Sequence, residues 1–178
     1  FRSTDETRRV VRASLRLATL RATMGDFKAA KSTASNAIEI LQEAQKQGTH
    51  SRNLADYLGI ALAARAEIHD ELGEHDAAVA DWEAVLQDNS QRIYELRRGV
   101  SLARAGDHVR AMEMLAEGRF LEETLTDPVL LLNSACVVSR AVEAAEDDDS
   151  LDEESRNELI ASLLVQGTQL MERLFTAD

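Results

Sequence analysis

The sequence predicts an all-α protein, a stack of about four antiparallel helix hairpins, on three observations. One proline and eight glycines in 178 residues leave few places for strands to turn. Two later stretches, 129–145 and the one running through Leu159, Leu163, Leu164, Leu170, Met171 and Leu174, carry apolar residues at helical spacing. A hairpin-closing pattern occurs three times, as Met24-Gly25-Asp26-Phe27-Lys28-Ala29-Ala30, Leu72-Gly73-Glu74-His75-Asp76-Ala77-Ala78 and Ala105-Gly106-Asp107-His108-Val109-Arg110-Ala111.

Each copy has a glycine, an acid, a ring, and an alanine five residues after the glycine. Seven residues before each glycine stands another small residue, Ala18, Ala66 or Gly99. Packing explains the spacing: glycine ends a helix in the left-handed conformation, the acid favours the next helix start, and small residues let the two helices approach. Gly73 and Gly106 are 33 residues apart, whereas Gly25 and Gly73 are 48 apart. The extra residues prolong the second helix through 38–47, with Gly48-Thr49-His50-Ser51 as the turn.

The fourth hairpin is degenerate. Asp127-Pro128 supplies a cap and a first-turn proline. The acidic run Glu146-Asp147-Asp148-Asp149 interrupts the pattern, and Ser150 with Glu153 has the form of a capping box opening a final helix that caps the stack. Expected helices are 5–24, 27–47, 51–72, 75–88, 91–105, 108–124, 128–145 and 151–175. They pair into hairpins 5–47, 51–88, 91–124 and 128–175 of a single domain over 1–178, expected to be part of a longer protein because the sequence opens on Phe1.

Charge narrows the function classes. Residues 1–50 carry nine basic and five acidic side chains, and residues 141–178 carry two and eleven, within a net charge of -12. Arg8, Arg9, Arg12, Arg16 and Arg21 suggest a phosphate-binding stripe, but overall acidity repels a polyanion, so a solvated helix face and no nucleic acid partner are expected. No apolar run approaches the roughly 20 residues that span a bilayer, and no secretory pattern opens the chain, so a cytoplasmic protein without a membrane partner is expected.

Chemical motifs mostly read as packing. The chain has no glycine-rich phosphate loop, paired metal cysteines or HExxH pattern. His69-Asp70-Glu71, Glu74-His75-Asp76 and Asp107-His108 have metal-ligand chemistry, yet His75 and His108 align with Phe27 and are expected as structural rings. Trp82 is expected in the core, and Cys136, between small and apolar neighbours, as a buried packing thiol. The acids of 143–154 lack the glycine and the alternating oxygens of a calcium loop, so a mobile, solvated loop is expected. No enzyme, cofactor or metal is expected.

The stretch from Ala64 to Leu86, with its Leu72-Gly73 turn and Trp82, resembles a tetratricopeptide repeat, and Arg97-Arg98-Gly99 through Ala111 matches next best. The Gly73–Gly106 interval is close to the roughly 34-residue period of that family. The resemblance implies a right-handed superhelix with a concave groove lined by the first helix of every hairpin. Carried over residue by residue, the groove comprises Leu15 and Thr19; Ile60, Ala63, Glu67 and Asp70; Ile93, Leu96, Val100 and Arg104; and Val129, Leu132 and Arg140. An apolar floor rimmed by Glu67, Asp70, Arg104 and Arg140 implies capture of a protein or peptide segment, as an amphipathic helix or an extended segment; the alternative is that some of these residues are core, because the superhelix is tight or the last helix folds back over them. The asparagine and lysine pattern by which some relatives clamp a terminal carboxylate does not fall on these positions. The segment from Asp127 to Val137, with the acidic insert and long last helix, is similar to repeat regions that accompany large bacterial serine/threonine protein kinases. That likeness implies an accessory, partner-recruiting region. The alternative is a self-association or purely structural module forming a weak homodimer.

Overall fold

Three glycines frame the architecture. Gly25, Gly73 and Gly106 have φ of +78°, +74° and +88°, a backbone region glycine enters without steric cost. The amide of the acid that follows each one, Asp26, Glu74 or Asp107, donates to the carbonyl of Arg21, His69 or Leu102 at 2.9–3.0 Å. These bonds close the preceding helix and turn the chain back on itself. Asp26 and Asp107 then accept from the amides of Ala29 and Arg110, capping the helices that follow.

The structure, a computed structural model, describes residues 4–48, 52–88 and 91–176. Among these are eight α-helices and no strand: α1 Thr4–Thr23, α2 Phe27–Lys46, α3 Arg52–Glu71, α4 His75–Asp88, α5 Arg92–Arg104, α6 His108–Glu117, α7 Pro128–Glu146 and α8 Glu153–Thr176. Phe27, His75 and His108 are each the first residue of a helix, in keeping with a shared structural position. Of the expected turn over 48–51, Gly48 has φ +79°. Thr49, His50 and Ser51 lie outside the described residues.

The chain forms two compact units, 1–89 and 90–178. In the first, the hairpins α1–α2 and α3–α4 join through α2 packed on α3, and α1 also touches α3. Ala18, Ala30, Ala34 and Ile68 form a buried cluster against which Phe27 and Leu72 pack. Small residues there bring helix backbones close. Trp82 and Val85 of α4 are buried as well, and each such large side chain contributes about 1.5–3 kcal/mol of transfer free energy.

In the second unit α7 is central, packing against α5, α6 and α8. Gly99 of α5 meets Met114 of α6 and Val137 of α7. α7 is long and apolar enough to cross a membrane by length and composition, and about a third of it, including Leu131, Val137, Val138 and Ala141, is buried within the unit.

Three expectations need correction. The helix expected over 108–124 ends at Glu117. Arg119 takes the left-handed conformation (φ +57°), and the amide of Phe120 donates to the carbonyl of Leu115 at 2.9 Å. Arg119 thus occupies the conformation glycine fills elsewhere, and the buried Phe120 ring anchors the turn. The last helix is opened by Asp152, whose carboxylate accepts from the Ser155 amide at 2.8 Å, and not by the Ser150–Glu153 box. The acidic run is exposed at Glu146, Asp147 and Asp149, as expected of a solvated segment, and after Glu146 it turns on hydrogen bonds: Asp148 accepts from the Ser150 amide, and the Arg156 guanidinium donates to the carbonyls of Asp148 and Leu151. Cys136 is exposed, because the buried face of α7 runs through Ser134, Val137 and Val138. The expected final helix does run through Leu159 to Leu174, with Leu163 and Leu170 buried and Leu164 exposed.

Candidate partner-binding surface

The expected groove residues divide by unit and by burial. In the first unit, helical spacing sets Ile60, Ala63 and Glu67 along one strip of α3. Ile60 is 50% exposed, Glu67 is exposed and Ala63 half-buried. Asp70, one turn on, is half-buried, and its Oδ1 lies 2.9 Å from His75 Nδ1. On α1, Thr19 is exposed, its hydroxyl donating to the Leu15 carbonyl, whereas Leu15 itself belongs to the core. In the second unit, Ile93, Val100 and Arg104 form a half-buried strip on α5. Leu96 is wholly buried: it lies one turn from Gly99, on the side of α5 that packs into the unit. Val129 and Leu132 of α7 are exposed, and Arg140 is engaged by Glu143 at 2.6 Å. Leu15 and Leu96 therefore leave the expected floor and become core.

The arginine row of α1 is not one solvated face. Arg21 turns onto α2 and donates to Thr33 Oγ1 and the Ala29 carbonyl, while Arg9, Arg12 and Arg16 remain exposed.

The charged groups of α2, α3 and α4 form a connected set. Arg65 makes a two-point pair with Asp81, both bonds 2.7 Å. The hydrogen bond to Asp81 holds the guanidinium pKa above its ordinary value, against the opposing effect of burial. Lys31 Nζ reaches Glu74 at 2.7 Å, and His69 Nδ1 lies 2.6 Å from the same carboxylate. The Lys31 ammonium, then the His69 ring, hold the Glu74 carboxyl below the usual carboxylate range. This arrangement ties α2 to the α3–α4 turn, and nothing in the repeat pattern announces it. Among the described residues, no three His, Cys, Asp or Glu side chains are placed to hold a metal ion.

A second apolar surface was missed in the sequence. Between α7 and α8 lies a groove of about 540 Å³, lined among others by Leu132, Cys136, Leu164 and Met171, with Glu143 and Glu146 on its wall. The doublets Leu163-Leu164 and Leu170-Met171 are its signature, because adjacent apolar residues on a helix supply two faces and one neighbour covers only one. No family model matches the chain, and no curated protein or solved structure shows significant similarity to it.

Proposed function

We propose that this chain is a non-catalytic interaction scaffold of tetratricopeptide type, whose hairpins stack as a right-handed superhelix and hold a protein or peptide segment along their first helices. The carrying observation is the accessible strip of α3, Ile60, Ala63 and Glu67, on a helix whose Leu54, Ala61, Leu62, Ala66 and Ile68 are buried in its unit. Ile60 offers an apolar anchor. Glu67, with exposed Asp56 and Glu71 on the same helix, favours a segment that carries basic side chains beside apolar ones. Thr19 on α1 and the Ile93, Val100 and Arg104 strip on α5 extend the same use to the other first helices. The similarity of 127–137 to kinase-associated repeat regions supports an accessory role, in which the scaffold recruits partners for a bacterial serine/threonine kinase.

A peptide array probed with the wild type and with Ile60→Glu tests this reading. Capture of a subset of basic, apolar segments by the wild type and its loss in an equally stable variant is the expected result. Capture of no segment, or capture indifferent to the substitution, refutes it.

A further inference from the structure

Two surfaces at opposite ends of the sequence are apolar, accessible and opposite in charge. On α1, Leu17, Leu20 and Met24 are spaced by three and four residues and so share one face. They are 42%, 57% and 75% exposed. The buried residues Val11, Leu15 and Ala18 lie on the other side of that helix. Exposed Arg9, Arg12 and Arg16 flank the apolar stripe. The second surface is the α7–α8 groove, where Leu132 and Leu164 are 47% and 55% exposed, and whose polar lining is Ser139, Glu143, which also pairs with Arg140, and Glu146. An apolar ridge beside arginines and an apolar groove beside glutamates are complementary in shape and sign.

We infer that the chain associates head to tail with a second copy of itself: the outer face of α1 seats in the α7–α8 groove of the next molecule, with Arg9 and Arg16 toward the Glu143 and Glu146 side. This contact is heterologous, since the two partners contribute different surfaces. Each complex keeps one free ridge and one free groove, so growth continues into a filament, or into a ring if the rotation closes. The residues used are distinct from the α3 strip, and a segment held there is compatible with the assembly. Attraction between exposed charges is screened by salt, so added salt weakens the contact.

Sedimentation velocity of the whole chain from micromolar to submillimolar concentration tests the inference. The expected result is a mass that rises past that of a dimer with concentration and falls back on addition of salt. Leu17→Glu with Leu20→Glu blocks the ridge, and Leu164→Glu blocks the groove. All three positions are exposed, so both variants retain the wild-type circular dichroism, and each alone is monomeric. Mixed in equal amounts, they form a heterodimer of twice the monomer mass and grow no further, because one supplies the intact groove and the other the intact ridge. Should a variant unfold, the pair Arg9→Glu with Arg16→Glu and Glu143→Arg with Glu146→Arg makes the same comparison: each is monomeric alone and associates with the other. A wild type that stays monomeric, a wild type that stops at a dimer, or a mixture of folded variants with no heterodimer overturns the inference.

Discussion

Gly99 of α5 lies against Val137 of α7, so closely that a Cβ on Gly99 would stand 3.2 Å from Cγ2 of Val137 and collide with the terminal methyl of Met114. The absence of a side chain is what lets α5, α6 and α7 meet. In Gly99→Ala the flexible end of Met114 swings aside, and the gain from replacing glycine within a helix, about 0.5–1 kcal/mol, offsets the tighter fit. We expect a net change within about 1 kcal/mol. Gly99→Leu has no such escape and should cost about 1–3 kcal/mol or more in urea unfolding. Ala78→Leu and Ala111→Leu, at positions with no exposure, should cost a similar amount. Neutral leucines at both alanines would contradict the packing described.

The pair Arg65 and Asp81 should behave asymmetrically. Asp81→Ala strands a guanidinium whose side chain is 23% exposed, and we expect a loss of about 2 kcal/mol, less than the roughly 3–5 kcal/mol of a fully buried pair. Replacing both by apolar residues, Arg65→Met with Asp81→Leu, should recover most of it. A double variant as unstable as the single one would mean that the pair stabilises the unit outright.

Leu96 and Ile60 separate core from surface. Leu96→Glu buries a carboxylate in α5 packing and should cost several kcal/mol or leave its unit unfolded. Ile60→Glu, at a half-exposed site, should change stability by about 0.5 kcal/mol or less. Equal losses at both would show that α3 has no accessible strip.

Acid should loosen the junction of α2 with the α3–α4 turn. The Glu74 carboxyl is held below its ordinary value of 4.5 by Lys31 and His69. A carboxyl lowered in the folded state contributes stability that is present above pH 4.5 and lost as pH falls through the folded value. Glu74→Gln removes this dependence, so the wild-type and variant melting curves should converge on acidification. Curves that stay parallel below pH 4.5 would show that the lowered carboxyl has no part in stability.

What the sequence made legible is local. The three glycine turns and the alanines five residues after them depend on backbone preference and side-chain size within a dozen residues, and the structure has them where the pattern put them. Arg119 escaped because its left-handed backbone is imposed by Phe120 and the loop around it, not by its own residue type. Cys136 and Leu164 escaped for a related reason. Helical spacing says which residues share a face but not how many neighbours cover that face, and α8 is covered along one side only. Leu15 and Leu96 passed from groove to core on the same account, since a residue at the edge of a buried stripe is settled by tertiary neighbours.

The guanidinium of Arg173 donates to the carbonyls of Leu121, Glu122 and Leu125 in the loop between α6 and α7, some fifty residues away in sequence. Contacts inside the hairpins are near-neighbour and are expected to form early, whereas this one is expected to form only once α8 has docked. We therefore expect the clasp to form on the native side of the folding barrier. Arg173→Ala should leave the refolding rate nearly unchanged and accelerate unfolding by the full loss in stability, so that stopped-flow unfolding reports on the seating of α8 and the lifetime of the native loop depends on the last helix of the chain.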